Sequence, residues 1–79
     1  MNNLRELIEY IEKALVDNPE KVEVKEIAGE KSIIYELKVG EGDLGKVIGK
    51  EGRTAKAVRT IITAAAMKQG KRVVLEIIE

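Results

Sequence analysis

The feature that most constrains this chain is a glycine-rich stretch at residues 45–53, with the sequence GKVIGKEGR. Apolar residues before it are at helical spacing, and a longer amphipathic pattern begins at Arg53. Gly49 and Gly52 therefore predict a tight turn between two helices, since glycine accepts the positive φ that such turns need. A turn that opens a helix presents unpaired N–H groups at the positive end of a dipole. With cations beside it, phosphate is the anion we expect there.

The spacing of the glycines does not fit two familiar nucleotide-binding motifs. A P-loop needs four residues between its glycines and then Lys followed by Ser or Thr, but three residues separate Gly45 from Gly49, and Glu51 follows Lys50. A dinucleotide-binding fingerprint fails because there is no G-x-G and the turn joins helix to helix. A G-x-x-G turn alone is short and common, so a purely structural connector remains an alternative.

Composition limits the classes of function. The 79 residues predict one small domain. The chain has no Cys and no His, and Ser32 is its only serine, so the residue sets of acyl transfer are missing. We therefore expect a protein that is not an enzyme and has no metal or cofactor. Short apolar runs and an N-terminus without a signal-peptide pattern lead us to expect a soluble, cytoplasmic protein.

The charges are unevenly distributed along the chain. Residues 1–44 carry 6 Lys and Arg against 11 Asp and Glu, whereas residues 45–79 carry 8 against 3. The sign changes at the glycine stretch, which indicates a local basic surface although the net charge is zero. Ordinary charged helix faces would also explain this pattern, and that alternative stays open.

Hydrophobic periodicity predicts the element order α-β-β-α-α-β in an α+β fold. The predicted helices cover residues 3–17, about 44–48, and 53–69, and the predicted strands cover residues 21–28, 32–39 and 71–79. Gly29-Glu30 predicts a hairpin turn, and Gly70 ends the last helix. We expect a three-stranded mixed sheet with the helices packed on one face, its last strand parallel to the second through a right-handed crossover.

Several residues have specific expected environments. Tyr35 is expected in the core, and Ile61 in the buried stripe of the last helix. Asp43 is expected to cap the short helix. The break in alternation at Glu26 and Ile27 indicates a bulge or the end of the strand. The final strand is apolar on both faces, which is typical of a central strand or of one covered by a partner.

Residues 47–53, VIGKEGR, resemble the V-I-G-x-x-G core of the KH domain, and the Ala- and Ile-rich helix that follows fits the same domain. The predicted order of elements is that of the type II, or bacterial, KH fold. The resemblance covers essentially the whole chain, 1–79, and is closest to the small single-KH RNA-binding proteins of bacteria, the KhpA-like family. The core β-α-α-β unit would span about residues 32–79, after a helix and strand within residues 3–28.

This resemblance implies that the loop grips the backbone of about four nucleotides of single-stranded RNA. Apolar side chains, with the exposed side of the last strand or of the second strand at Ile34, would form a groove for the bases. Arg59 could be a further RNA contact or a simple solvated cation. Glu51 would weaken binding if it faced the phosphates. The RNA-binding residues that the resemblance implies are Lys46, Ile48, Gly49, Lys50, Glu51, Gly52, Arg53 and Lys56.

The resemblance also implies a post-transcriptional regulator or RNA chaperone of the bacterial cytoplasm, as a homodimer or paired with a second KH-containing protein. The alternative from another class is an assembly module that binds a protein partner and uses its glycine turn only for geometry. The cations Lys46, Lys50, Arg53 and Lys56 discriminate between the two, because a pure connector would not need them.

Overall fold

The computed structural model describes residues 3–78. The predicted element order is confirmed, and within the described residues the predicted ends differ from the observed ones by at most two residues. The predicted last residue of the final strand, residue 79, lies outside the described residues. Short 3-10 turns precede the first strand and the last helix, at Pro19–Lys21 and Lys50–Gly52. The main elements are α1 (Leu4–Leu15), β1 (Glu23–Ala28), β2 (Ser32–Lys38), α2 (Leu44–Ile48), α3 (Arg53–Lys68) and β3 (Arg72–Ile77).

The strands form one mixed sheet in the order β1-β2-β3. β1 and β2 are antiparallel, and the predicted hairpin turn is closed by the Gly29 N–H, which donates to the Ser32 carbonyl at 2.7 Å. β2 and β3 are parallel, with Ser32 opposite Arg72, and α2 and α3 form the crossover between them. The expected mixed sheet with a parallel last strand is therefore confirmed.

The predicted irregularity in β1 is wrong. Its register with β2 is continuous from Glu23 to Ala28. Glu26 lies opposite Tyr35 on the helix-facing side of the sheet, and Ile27 lies opposite Ile34 on the other side. Glu26 stays exposed because β1 is an edge strand, so a charged residue at an inward register position costs little there.

The core lies between the sheet and the helices. Alternate residues of β2 point into it, and Tyr35 is only 1% exposed, which confirms its predicted place. Burial, reinforced by the Glu26 carboxylate, raises the pKa of Tyr35 to about 12. The other core residues are Leu4, Ile8, Val22, Val24, Ile33, Leu37, Val47, Val58, Ile62, Ala66 and Leu75.

One prediction about burial needs correction, and another is narrowed. Ile61 is 51% exposed, because the buried stripe of α3 runs through Val58 and Ile62, and Ile61 lies about 100° around the helix from its neighbour. Of the two alternatives expected for β3, the central position is excluded, because β3 lies at the edge of the sheet. Its Val74 lies on the sheet face that no helix of the described residues covers.

Local polar contacts set the ends of the two long helices. The Asn3 Oδ1 accepts a hydrogen bond from the Glu6 N–H at 3.2 Å, which caps α1. After α3, Gly70 has a φ of 71°, as its predicted role requires. The Gly70 and Lys71 N–H groups donate to the carbonyls of Met67 and Ala66, which is the Schellman arrangement. None of the helices within residues 3–78 is long and apolar enough to cross a membrane.

Candidate nucleic-acid interface

The turn between α2 and α3 has a backbone that few residues adopt. Gly49 has φ 78° and ψ 170°, Glu51 has φ 57° and ψ 24°, and Gly52 has φ 74° and ψ 10°. The Gly49 N–H donates to the Gly45 carbonyl at 2.8 Å, and the Gly52 N–H donates to the Gly49 carbonyl at 3.1 Å. The predicted tight turn is therefore present, and its positive φ angles account for glycine at both ends.

The two glycines of the turn have different surroundings. A Cβ on Gly49 would collide with the Thr54 side chain and lie 2.9 Å from the Thr54 backbone nitrogen. A Cβ on Gly52 would meet nothing within 4 Å. Gly49 is therefore required by packing as well as by φ, whereas the space above Gly52, at the start of α3, is open to a ligand.

Glu51 is strained and partly neutralises the turn. It is the one non-glycine residue with positive φ within residues 3–78, a conformation that costs about 1–2 kcal/mol. Its Oε1 lies 3.2 Å from Nη2 of Arg53, and both side chains are exposed. The ion pair directs the carboxylate to the neighbouring cation, so Arg53 is shared between Glu51 and any incoming anion.

Lys46 lies on the side of α2 that faces the end of α1. Its Nζ is 3.2 Å from the Asp17 Oδ2 and 3.8 Å from the Asp43 Oδ1. By contrast, Lys50 and Lys56 are exposed and form no ion pair within residues 3–78. Lys50 and Lys56 are therefore available cations near the turn, whereas Lys46 already pairs with carboxylates of the protein itself.

Asp43 fixes the position of α2, but not as predicted. It is 1% exposed, and its carboxylate accepts hydrogen bonds from the N–H groups of Asp17 (3.2 Å) and Asn18 (3.0 Å) and from the Asn18 side-chain amide (3.2 Å). Asp43 does occupy the N-cap position of α2, but its side chain forms no capping bond there. Burial tends to raise the pKa of Asp43, but these donors outweigh it and hold the pKa below its ordinary value.

The apolar part of the site is divided between two places. Ile48 is half-buried beside the turn and packs against the core. A cleft of about 190 Å³ lies farther along, between α3 and β3, where Ile62 and Leu75 are among its lining residues. β3 edges this cleft, whereas Ile34 lies on the uncovered face of the central strand and does not line it.

Arg59 has a role that the sequence did not reveal. Its Nε and Nη2 both donate to the Leu75 carbonyl at 3.2 Å. The N–H groups of Arg72 and Ile78 donate to the carbonyls of Lys31 and Leu37, on the side of β2. Because successive residues of a strand direct their backbone groups to opposite sides, the Leu75 carbonyl points away from β2, to the open edge of the sheet. Arg59 thus covers part of an exposed sheet edge and places a cation at the mouth of the cleft.

These features define a class of protein. The α-β-β-α-α-β order, the parallel pairing of β2 with β3 and the glycine turn between α2 and α3 together make a type II KH domain. Residues 5–77 match the family described as KhpA/KhpB, KH domain. The chain belongs to that family, which confirms the resemblance inferred from its sequence.

Curated relatives agree with this assignment over nearly their whole length. The chain is 61% identical over 75 residues to RNA-binding protein KhpA of Clostridium perfringens, which covers 95% of this chain and 100% of the relative. It is 63% identical over 73 residues to the KhpA of Caldanaerobacter subterraneus (92% and 97% covered). It is 57% identical over 79 residues to that of Aquifex aeolicus (100% of both). These relatives are named as RNA-binding proteins and not as enzymes, as expected for this chain. No solved structure gives a significant match.

Proposed function

We propose that this protein binds RNA and that it grips a single strand at residues 49–52. The observation that carries the proposal is the positive-φ turn at the start of α3, with open space over Gly52 and two exposed lysines, Lys50 and Lys56, that form no ion pair within residues 3–78. Relatives that share more than half of its residues are named RNA-binding proteins, which supports RNA as the ligand.

The start of α3 supplies the attraction for phosphate. No side chain caps this helix, so the N–H groups of its first turn have no side-chain acceptor and carry the positive end of the dipole. The missing Cβ of Gly52 lets a sugar-phosphate backbone approach the main chain. Lys50 in the turn and Lys56 on α3 are exposed and add positive charge, with Lys56 one turn after Arg53 on the same helix face.

Bases would lie beyond the phosphates, toward Ile48 and the cleft between α3 and β3. Contacts to phosphate fix the position of a strand but carry no sequence information. Within residues 3–78 the only aromatic side chains are Tyr35, which is buried, and Tyr10, which lies on α1, so base stacking contributes little here. We therefore expect weak binding with limited sequence preference.

Weak binding by a single domain suits a protein that works as a pair. We propose a post-transcriptional regulator or RNA chaperone of the bacterial cytoplasm, acting as a homodimer or with a second KH-containing protein. The family description, which covers KhpA and KhpB, supports the second arrangement. Two linked sites bind one RNA more tightly than either site alone, because the second contact becomes intramolecular.

The test is fluorescence anisotropy with a short single-stranded RNA at two salt concentrations. The intact protein is compared with the double variant Lys50→Asp, Glu51→Asp, after circular dichroism shows that both are folded. A matched control is Glu20→Asp, Lys21→Asp, which makes the same changes in the exposed 3-10 turn before β1.

Salt-sensitive binding that the Lys50 variant loses and the control retains supports the proposed grip. Equal binding by all three proteins contradicts it. No binding by any of them favours the alternative function, an assembly module that binds a protein partner.

A further inference from the structure

A second concavity lies at the end of α3 opposite the glycine turn. It has a volume of about 790 Å³ and is formed by the β1–β2 hairpin, the last turns of α3 and the start of β3. We call it the basic basin, because its lining includes Lys31, Lys71 and Arg72 and no carboxylate. The predicted RNA-binding residues all lie elsewhere, at residues 46–56.

A backbone contact brings these cations together from distant parts of the sequence. The Arg72 N–H donates to the Lys31 carbonyl at 3.1 Å, which ties the start of β3 to the hairpin connection just before β2. The Schellman arrangement at Gly70 then turns the chain so that Lys71 follows directly on α3. The basin is therefore built by regular structure and does not depend on a loose loop.

The cations of the basin are not neutralised within the described part of the chain. Lys31, Lys71 and Arg72 form no ion pair within residues 3–78, unlike Arg53 at the turn. The end of a helix dipole is negative and would oppose an anion, but the carbonyls of Ala66 and Met67 already accept hydrogen bonds from residues 69–71. Three cations therefore dominate the local charge.

The remaining lining of the basin fits a nucleotide. Ser32 and Thr63 provide hydroxyl groups that can donate to phosphate or sugar oxygens. Met67 is 71% exposed and offers a flexible apolar surface on which a base can lie. Cations, hydroxyls and one apolar platform suit a phosphodiester with its base better than they suit a wholly apolar ligand.

The basin is continuous with the proposed RNA path. It shares Thr63 and Val73 with the cleft between α3 and β3, and it shares Thr63 and Met67 with a shallow groove along α3 that also includes Lys56 and Arg59. Along α3, which starts at Arg53, the basin residues Thr63 and Met67 lie about 15–21 Å from the turn at 1.5 Å per residue. A strand held at the turn can follow this cationic route to the basin.

We propose that the basic basin is a second phosphate-binding site for the same RNA strand, which holds a nucleotide beyond those gripped at the turn. This proposal rests on the function proposed above. It extends the footprint past the four nucleotides of a single KH loop. Longer RNA then binds more tightly and with a steeper salt dependence than a tetranucleotide does.

The test compares a tetranucleotide with an RNA about three times as long, each at several salt concentrations. The basin variant is Lys31→Gln, Lys71→Gln. Its matched control is Lys25→Gln, Lys38→Gln, which removes two lysines of the exposed sheet face. For the long RNA we expect the basin variant to lose about tenfold in affinity at low salt. Its log–log salt slope should flatten by about 1.4, at about 0.7 per phosphate contact.

The tetranucleotide should bind the wild type, the basin variant and the control alike. Amide NMR shifts of residues 31–32 and 70–73 on adding the long RNA but not the tetranucleotide would support the proposal without any substitution. If the basin variant and the control lose long-RNA binding equally, or if neither loses any, the basin is not a second phosphate-binding site. The proposal that the turn binds RNA would be unaffected by that result. Failure of the wild type to bind either RNA overturns both proposals.

Discussion

Glu51 and Arg53 form an ion pair of 3.2 Å across the mouth of the glycine turn, and Glu51 holds it from a left-handed backbone conformation. The Glu51 carboxylate thus pairs with the Arg53 guanidinium, which is a group that would otherwise bind a phosphate. RNA that contacts Arg53 must displace or share this partner, so the turn contains its own weak competitor for phosphate.

Glu51→Gln should therefore tighten RNA binding. The substitution keeps the size of the side chain, removes the negative charge and frees Arg53, and we expect a gain of about two- to fivefold, the range of one exposed ion pair. Anisotropy titrations at low salt measure it, with Glu41→Gln as a control for the same change in net charge at another exposed residue. Unchanged or weaker binding by Glu51→Gln would show that the carboxylate does not compete with phosphate.

Gly45→Ala should stabilise the protein. Gly45 is an exposed residue inside α2 with a negative φ, and a Cβ there would meet nothing within 4 Å. Glycine inside a helix costs about 0.5–1 kcal/mol relative to alanine. In a domain of this size that gain raises the melting temperature by roughly 2–8 °C. Thermal unfolding followed by circular dichroism measures it, and an unchanged or lower melting temperature would refute the expectation.

Gly52→Ala should do the reverse and serves as the matched comparison. The space around Gly52 is equally open, but its φ of 74° is unfavourable for alanine. We expect a loss of about 1 kcal/mol in the free energy of unfolding. If both alanine variants melted at the same temperature, backbone conformation would not be what distinguishes these glycines.

Glu12 should make stability depend on pH. It is 1% exposed and its Oε1 has no hydrogen-bond partner within residues 3–78, and burial, opposed by the charge of Arg59, raises its pKa from 4.5 to about 7. The folded protein therefore holds a proton that the unfolded chain releases. The contribution of this proton to the free energy of unfolding is fully present below pH 4.5 and declines as the pH rises. It is lost above about pH 7, and its total is on the order of 3 kcal/mol.

Urea unfolding at pH 5.5 and pH 8 tests this expectation. Wild type should be less stable at pH 8, while Glu12→Gln should be more stable than wild type at pH 8 and show little change between the two conditions. Glu6→Gln, on the exposed face of the same helix, is the control and should behave as wild type does. The same pH dependence in Glu12→Gln and wild type would contradict the role of Glu12.

The sequence was enough to predict the fold because its signals are local. Alternation placed Tyr35 in the core, and glycines located the hairpin and the end of the last helix. Ile61 was misplaced because neighbouring apolar residues on a helix give no sharp boundary to the buried stripe. A central position was one of two alternatives for β3 because Val73, Val74 and Leu75 form a continuous apolar run, but β3 lies at the edge of the sheet.

The site was less predictable because its charges interact across the fold. The residues of the turn were found from their spacing, but Asp17, which lies 3.2 Å from Lys46, is distant from it in the sequence, so that ion pair could not be read from local spacing. Asp43 was expected to cap its own helix and instead binds the segment after α1. The contact of Arg59 with the Leu75 carbonyl depends on which strand lies at the sheet edge.

The most direct test of the central claim is an NMR titration of the isotope-labelled protein with a single-stranded tetranucleotide. A phosphate backbone held by the turn should shift the amide signals of residues 49–54 first and most strongly, with smaller shifts at Lys56 and Ile48. The signals of β1 should remain unchanged. Shifts concentrated on β1 or on the uncovered face of the sheet, with the turn unaffected, would contradict the claim that residues 49–52 grip the RNA.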